Sequence, residues 1–430
     1  MHPFFKSRWF LAVLLCSIGV AVGAVIILAL FRPYLDYKIA PYEAADPTSP
    51  QFLADLRNLA DARLYTQTRV ETLTNGESFY AAELEAISKA ARSVHLEAYI
   101  FARGGVGDDF RTALTERARR GVKVRLALDA VGSLTTFAGY FDELLSAGGS
   151  LHFYHPVRWY TWDRLNNRTH RELIVVDGRT AFVGGAGFAD QWREPREGQP
   201  PWRDTMFRVT GDAVDGLQSV FVENWLETSG EILDPDAFRA EAAEGGEIAV
   251  VIGSTPTAGG STRARLIYQL FFSGARRSIL ITNPYFLPDS GIREALVHAV
   301  KQRGVEVKVI APGPAIDHEM TRSGSRRLYG ELLKEGVEIH EYQPTMLHTK
   351  TIIIDDIWCL VGSTNLDPRS FGLNDELTLL VYSEGTAAEL RRDFKRDLAN
   401  SRPLTYEQWK NRPLWERGGE WLSGLLERQQ

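Results

Sequence analysis

The chain has 430 residues, room for about two to four domains, and its 44% hydrophobic and 24% charged content excludes a disordered chain. Lys and Arg number 49 against 55 Asp and Glu, a net charge of −6 that argues against a protein whose main task is coating nucleic acid, though not against a local basic pocket. Only two cysteines are present, Cys16 in an apolar run and Cys359 in a strand-like stretch, which excludes a disulfide framework and a cysteine-based metal site.

In chain order, residues 9–31 (WFLAVLLCSIGVAVGAVIILALF) come first and carry no charge. At roughly 1.5 Å per residue a helix of this length spans about 34 Å, enough for a hydrocarbon core of about 30 Å. Trp9 and Phe31 stand at its ends, as interface aromatics do. The run exceeds a signal-peptide core and no small-x-small cleavage site follows it before Arg32, so an uncleaved single-pass cell-membrane anchor is predicted. Lys6 and Arg8 nearly balance Arg32 and Lys38; the short tail favours N-inside, with the bulk of the chain outside the cytoplasm. Residues 32–65 read as a juxtamembrane linker ending in a short helix.

After that the chain repeats itself. Residues 91–124 and 275–307 each read as a strand, a turn, an amphipathic helix and a second strand that starts after Arg-Gly. HRELIVVDGRTAFVGG (170–185) matches HTKTIIIDDIWCLVGS (348–363) at an offset of 178. The duplication predicts an α/β fold with repeats at 66–240 and 241–400, and a joint within the Ala-, Gly- and Glu-rich stretch 240–262. The amphipathic tail 401–430 has two readings, a helix packed on the body or an interfacial helix lying on a membrane.

In each repeat a His opens a β-branched strand and an Asp closes it seven residues later: His170 with Asp177, His348 with Asp355. Residues i and i+2 share a strand face, so His348 projects with Lys350 and His170 with Glu172. Asp177 and Asp355 have the opposite parity and read as structural hydrogen-bond acceptors at the strand ends.

These pieces, together with PWRDTMFRVTGDAVDGLQSVFVENW, GSTNLDPRSFGLNDE and WKNRPLWER, resemble the phospholipase D superfamily, whose signature is His-x-Lys-x-x-x-x-Asp present twice, and within it the bacterial cardiolipin synthases. The resemblance covers about residues 66–420. It implies tandem repeats related by a pseudo-twofold, with mixed sheets flanked by helices. It further implies a phosphatidyltransferase or phospholipase acting on phosphatidylglycerol or a similar phospholipid, with an alcohol or water as acceptor and no metal or cofactor. In such chemistry one neutral imidazole attacks phosphorus and a protonated one opposite it protonates the leaving alkoxide. By the resemblance His170 is the nucleophile and His348 the acid/base. Lys350, Asn365 and Ser363 hold phosphate oxygens, while Asp204 orients His170 and Glu376 orients His348.

The first half departs from the pattern, with Glu172 in place of the Lys and Gly187 in place of the Asn. A carboxylate there would repel a phosphate by about 1 to 4 kcal/mol at about 4 Å. Three readings stay open: Glu172 pairs with Arg168, Arg171 or Arg203 and the site works; Glu172 is substrate-binding, meeting a hydroxyl of a polyol acceptor; or the half is degenerate. Two rival functions also stand, a nucleic-acid phosphodiesterase of the same superfamily, disfavoured by the net charge, and a non-catalytic lipid-binding protein. His318, in a loop with Arg322, Arg326 and Arg327, reads as a headgroup contact or as part of a solvated basic turn.

Overall fold

The computed structural model describes residues 9–20, 23, 44–137, 139–158, 164, 166–196, 198–233, 246–256 and 263–424. Residues 9–20 are helical, and the rest of the apolar run 9–31, Gly23 apart, lies outside the described residues. Among the described residues no helix is long and apolar enough to cross a membrane.

The first half supplies β1 (Leu64–Thr74), β2 (Ser93–Ala98), β3 (Lys123–Asp129), β4 (Ser150–Tyr154), the short β5 (Arg168–Thr169), β6 (Glu172–Val176), β7 (Thr180–Gly184) and β8 (Thr205–Gly211). The second supplies β9 (Glu247–Ser254), β10 (Ser278–Thr282), β11 (Glu306–Pro312), β12 (Glu338–Tyr342), β13 (Thr351–Ile354), β14 (Trp358–Gly362), β15 (Asn374–Tyr382) and β16 (Ser401–Leu404). They join in one mixed sheet, ordered β16-β12-β11-β10-β13-β14-β15-β9-β1-β8-β7-β6-β2-β3-β4, with β5 paired to β15 off that path. Read outward from the antiparallel β1–β9 seam, the two sides repeat one another: antiparallel strands first, then three parallel ones, β2-β3-β4 or β10-β11-β12.

The residue types account for this layout. The central strands are continuous runs of Val, Ile and Leu, buried at every position in β6, β13 and β14, as strands covered on both faces must be. Helices Gly76–Lys89 and Gly105–Arg119 cover one face of the first half; helices Pro50–Ala60, Arg263–Gly274 and Ser290–Arg303 cover the same side of the second. A third core lies across the seam, where Phe207 and Val175 of the first half and Leu379 and Ile353 of the second pack beneath helices Ala213–Ser229 and Glu384–Ala399.

Two stretches differ from the sequence reading. Within the stretch taken as a joint, EIAVVIGS forms β9 at the centre of the sheet, because its aliphatic core outweighs the flanking small residues. At the other end, residues 401–404 close the sheet edge as β16, where Pro403 is tolerated because an edge strand can spare a donor. Helix Leu414–Gly424 packs on helix Glu319–Lys334, and Trp409 donates through Nε1 to the Arg326 carbonyl at 2.6 Å. The described part of the tail therefore lies on the body.

Candidate active site

Each hairpin that carries a histidine is held at its far end by its aspartate. The turns place Asp177 and Gly178 at φ 55° and 66°, and Asp355 and Asp356 at 53° and 60°, the left-handed pair that a tight two-residue turn requires. Asp177 accepts the backbone N–H of Ala91, Arg92 and Ser93 at 2.9, 2.7 and 2.8 Å; Asp355 accepts those of Arg276, Arg277 and Ser278 at 2.8, 2.7 and 2.9 Å. Both aspartates pin the start of β2 or β10 and sit at the opposite end of the hairpin from the histidines.

At the near end the halves cross. The β5 segment pairs with Asn374–Asp375 of β15, and His170 donates its backbone N–H to the Asp375 carbonyl at 2.9 Å. In the mirror position Arg203 bridges Leu347, and His348 donates its backbone N–H to the Arg203 carbonyl at 2.7 Å. This crossing decides the carboxylate partners. His170 Nδ1 lies 3.1 Å from Glu376, and His348 Nδ1 lies 2.8 Å from Asp204. The expected pairing of Asp204 with His170 and Glu376 with His348 is thus exchanged: each imidazole meets the acid of the other half, because the chain ahead of His170 docks on β15 and the chain ahead of His348 docks beside Arg203, just before β8.

Both acids are fully buried and further held. Ser363 Oγ donates to Glu376 at 2.5 Å; Trp192 Nε1 and the Thr205 N–H donate to Asp204 at 3.1 and 2.8 Å. Ser363, expected to bind substrate, is in this structure committed to Glu376. Burial alone would raise the Asp204 carboxyl, but the hydrogen bond and charge of His348, with Lys350 nearby, outweigh it and hold Asp204 below the usual range. Burial and then the Lys350 ammonium lower His348, against the pull of Asp204. With Nδ1 on a carboxylate, each ring keeps Nε2 for chemistry.

Both rings line one cleft of about 300 Å³, together with Tyr99, Glu172, Trp202, Tyr285, Asn365 and Arg369. Lys350 Nζ sits 3.0 and 3.1 Å from the two ring nitrogens of His348, and burial lowers its pKa to about 8. The side-chain oxygen of Asn365 is buried without a partner among the described residues. His318 lies on the rim with its side chain 70% exposed, at the start of helix Glu319–Lys334, which replaces the expected loop and carries Arg322 and Arg326, both paired with Glu341.

Glu172 pairs with none of the three arginines considered for it. Arg168 serves Asp129 and nearby carbonyls, Arg171 serves Glu223, and Arg203 serves Asp397. Glu172 Oε1 instead accepts the backbone N–H groups of Tyr99 and Ile100 at 3.1 and 3.3 Å. Burial raises its pKa well above the carboxylate range, the two N–H groups and Lys350 offsetting only part of that. The protonated form, which burial favours, would not repel a phosphate. The cleft tyrosines Tyr99 and Tyr285, and Asp317, which accepts the Tyr285 hydroxyl at 2.6 Å, escaped the sequence reading. Their one signal was a tyrosine soon after the first strand of each repeat.

Comparison with known proteins agrees with this architecture. The family described as "Cardiolipin synthase, PLD-like domain" matches residues 84–194 and 269–398. A cardiolipin synthase of Geobacillus kaustophilus is 36% identical over 372 residues, covering 84% of this chain and 72% of that protein. The major cardiolipin synthase of Bacillus subtilis is 36% identical over 363 residues, covering 83% and 74%. The crystal structure of a phosphatidylserine synthase from Haemophilus influenzae shares the fold, with a TM-score of 0.66 at 15% identity over 88% of this chain and 97% of that one. With its two matched segments spanning more than half of its length, the chain belongs to the cardiolipin synthase family of phospholipase D-like proteins.

Proposed function

We propose that this protein is a phosphatidyltransferase of the phospholipase D type, acting on phosphatidylglycerol or a similar phospholipid. His170 Nε2 attacks phosphorus and forms a phosphohistidine; His348, protonated, gives its proton to the departing alkoxide. An alcohol then enters, His348 takes its proton, and the new oxygen–phosphorus bond releases His170. Lys350 and Asn365 hold the equatorial oxygens and stabilise their charge. Asp204 and Glu376 fix the imidazoles and support the imidazolium form. The observation that carries this reading is that the imidazoles of both halves line one cleft, each with Nδ1 on a buried carboxylate.

An anchor at 9–31 completes the proposal and rests on the uncharged run, and the placement of the catalytic halves outside the cytoplasm rests on the short N-terminal tail. It keeps the site beside a substrate that stays in the bilayer. Protease added to intact spheroplasts degrades the catalytic halves on this reading; full protection overturns the orientation.

The test is to incubate the purified full chain with labelled phosphatidylglycerol vesicles and, separately, with labelled single-stranded DNA, both with chelator. Diphosphatidyl lipid that disappears in His348→Asn is the expected result, with phosphatidic acid where water replaces the alcohol. Cleavage of DNA without any lipid product, or no product from either, overturns it.

A further inference from the structure

His170, His348 and Asn365 line the cleft, and Glu172 is a polar group of the same lining to which the proposed reaction assigns no role. It stands two residues after His170, at the position that corresponds to Lys350 by the offset of 178, and it lines the same cleft while only 3% exposed. Its two oxygens are not equivalent. Oε1 accepts two backbone N–H groups, from Tyr99 and Ile100. Oε2 is buried and has no partner among the described residues. An oxygen that accepts two N–H bonds is the carbonyl-like one, so a proton on this carboxyl resides on Oε2. A buried hydroxyl without an acceptor is costly, and a phosphoryl oxygen is a strong acceptor.

The neighbouring glycines fit the same arrangement. A Cβ at Gly187 would lie 2.7 Å from the Ile100 carbonyl oxygen and 2.8 Å from the Ile100 Cβ, so that backbone leaves no room for the Asn expected there, and it would lie 3.2 Å from Glu172 Oε1, a tight contact. A Cβ at Gly185 would lie 2.9 Å from Lys350 Nζ, so the missing side chain leaves room for the ammonium of the other half. Gly187 and Gly185 thus both keep the space beside Glu172 and Lys350 free of side chains.

We propose that Glu172, as a neutral acid, donates a hydrogen bond from Oε2 to a non-bridging oxygen of the substrate phosphoryl group, taking the place of the first-half lysine without its charge. This rests on the phosphodiester reading of the cleft and names the ligand chemistry of its first-half wall. Burial raises the Glu172 pKa well above the carboxylate range, which favours the protonated form. No covalent step is involved, since Glu172 holds its proton throughout and His170 and His348 carry the reaction.

Glutamine reproduces a neutral acid with an acceptor on one side and a donor on the other; alanine and leucine remove both. The experiment measures equilibrium binding of inorganic phosphate to the full chain by calorimetry for wild type, Glu172→Gln, Glu172→Leu and Glu172→Ala, with thermal unfolding alongside. The expected result is Gln within about threefold of wild type, and Leu and Ala weaker by about tenfold, the scale of one lost hydrogen bond to an anion. Unchanged phosphate affinity in folded Leu or Ala variants overturns the proposal, because it leaves Glu172 a structural role only. Phosphate binding at least tenfold tighter in Gln also overturns it, because it marks an ionised, repelling carboxylate in the wild type. Should Leu and Ala fail to fold, Glu172→Met, which keeps the length and loses the donor, takes their place with the same expected and overturning results. Turnover of phosphatidylglycerol by the wild type is measured separately, so an inactive wild type counts against the proposed reaction while the phosphate series judges Glu172.

Discussion

The first half carries Glu172, Gly185 and Gly187 where the second carries Lys350, Ser363 and Asn365. Around the imidazoles the two halves are nearly alike: each ring keeps one Nδ1 contact to a fully buried acid, and each hairpin is pinned by an aspartate that accepts three backbone N–H groups. The halves differ at Glu172 and Gly187 against Lys350 and Asn365, and at Gly185 against Ser363, which holds Glu376. The proton-handling parts are duplicated, while Lys350 stands within hydrogen-bond reach of His348 on one side.

The strongest test of the shared part is removal of either imidazole. His170→Asn and His348→Asn should each lower the rate of phosphatidylglycerol conversion by about 1,000-fold or more. If one variant stayed within tenfold of wild type, the two rings would not be working as a pair.

The unshared part is tested next. Lys350→Met should cost about 100- to 1,000-fold in kcat, the scale of losing a preorganised electrostatic donor. The Lys350 pKa is lowered from 10.5 to about 8, so the side chain is charged below that pH and neutral above it. Activity should therefore fall as pH rises through about 8, and Lys350→Arg, which keeps its charge, should lose that alkaline limb. A limb that persists in the arginine variant belongs to another group.

The exchange of carboxylates makes a sharper prediction with a smaller effect. Asp204→Asn and Glu376→Gln should each lower kcat by about 10- to 100-fold, as losses of orienting partners do. In ¹⁵N-histidine NMR, Asp204→Asn should move the His348 ring signals and leave those of His170, and Glu376→Gln the reverse. The opposite assignment would mean that each half supplies its own acid.

The smallest effect on chemistry is expected at the pins. Asp177→Ala and Asp355→Ala each remove three hydrogen bonds to a carboxylate and should destabilise the fold by about 2–4 kcal/mol in urea unfolding. The folded fraction should keep kcat within about threefold, because both aspartates lie at the far end of their hairpins.

Much of this site was readable before the fold was known, because strand parity and a fixed repeat offset are local properties. Parity put His348 with Lys350 and His170 with Glu172, and set Asp177 and Asp355 apart. The carboxylate partners were not readable, since motif order pairs Asp204 with His170 and only the docking of β5 on β15 reverses it. The state of Glu172 was hidden for a similar reason. Its charge depends on burial and on the N–H groups of Tyr99 and Ile100, more than 70 residues away in sequence. The strand β9 was masked by the small residues around it, and β16 by its proline.

The crossed acids make the duplicated chain an intramolecular dimer. A lone repeat would hold an imidazole beside empty space, and would need a second copy turned about the same axis to complete it. Once both copies are fused, each can drift without the other following, and a substitution that would strike both sides of a homodimer strikes only one. That freedom is what lets one half carry Glu172 where the other carries Lys350.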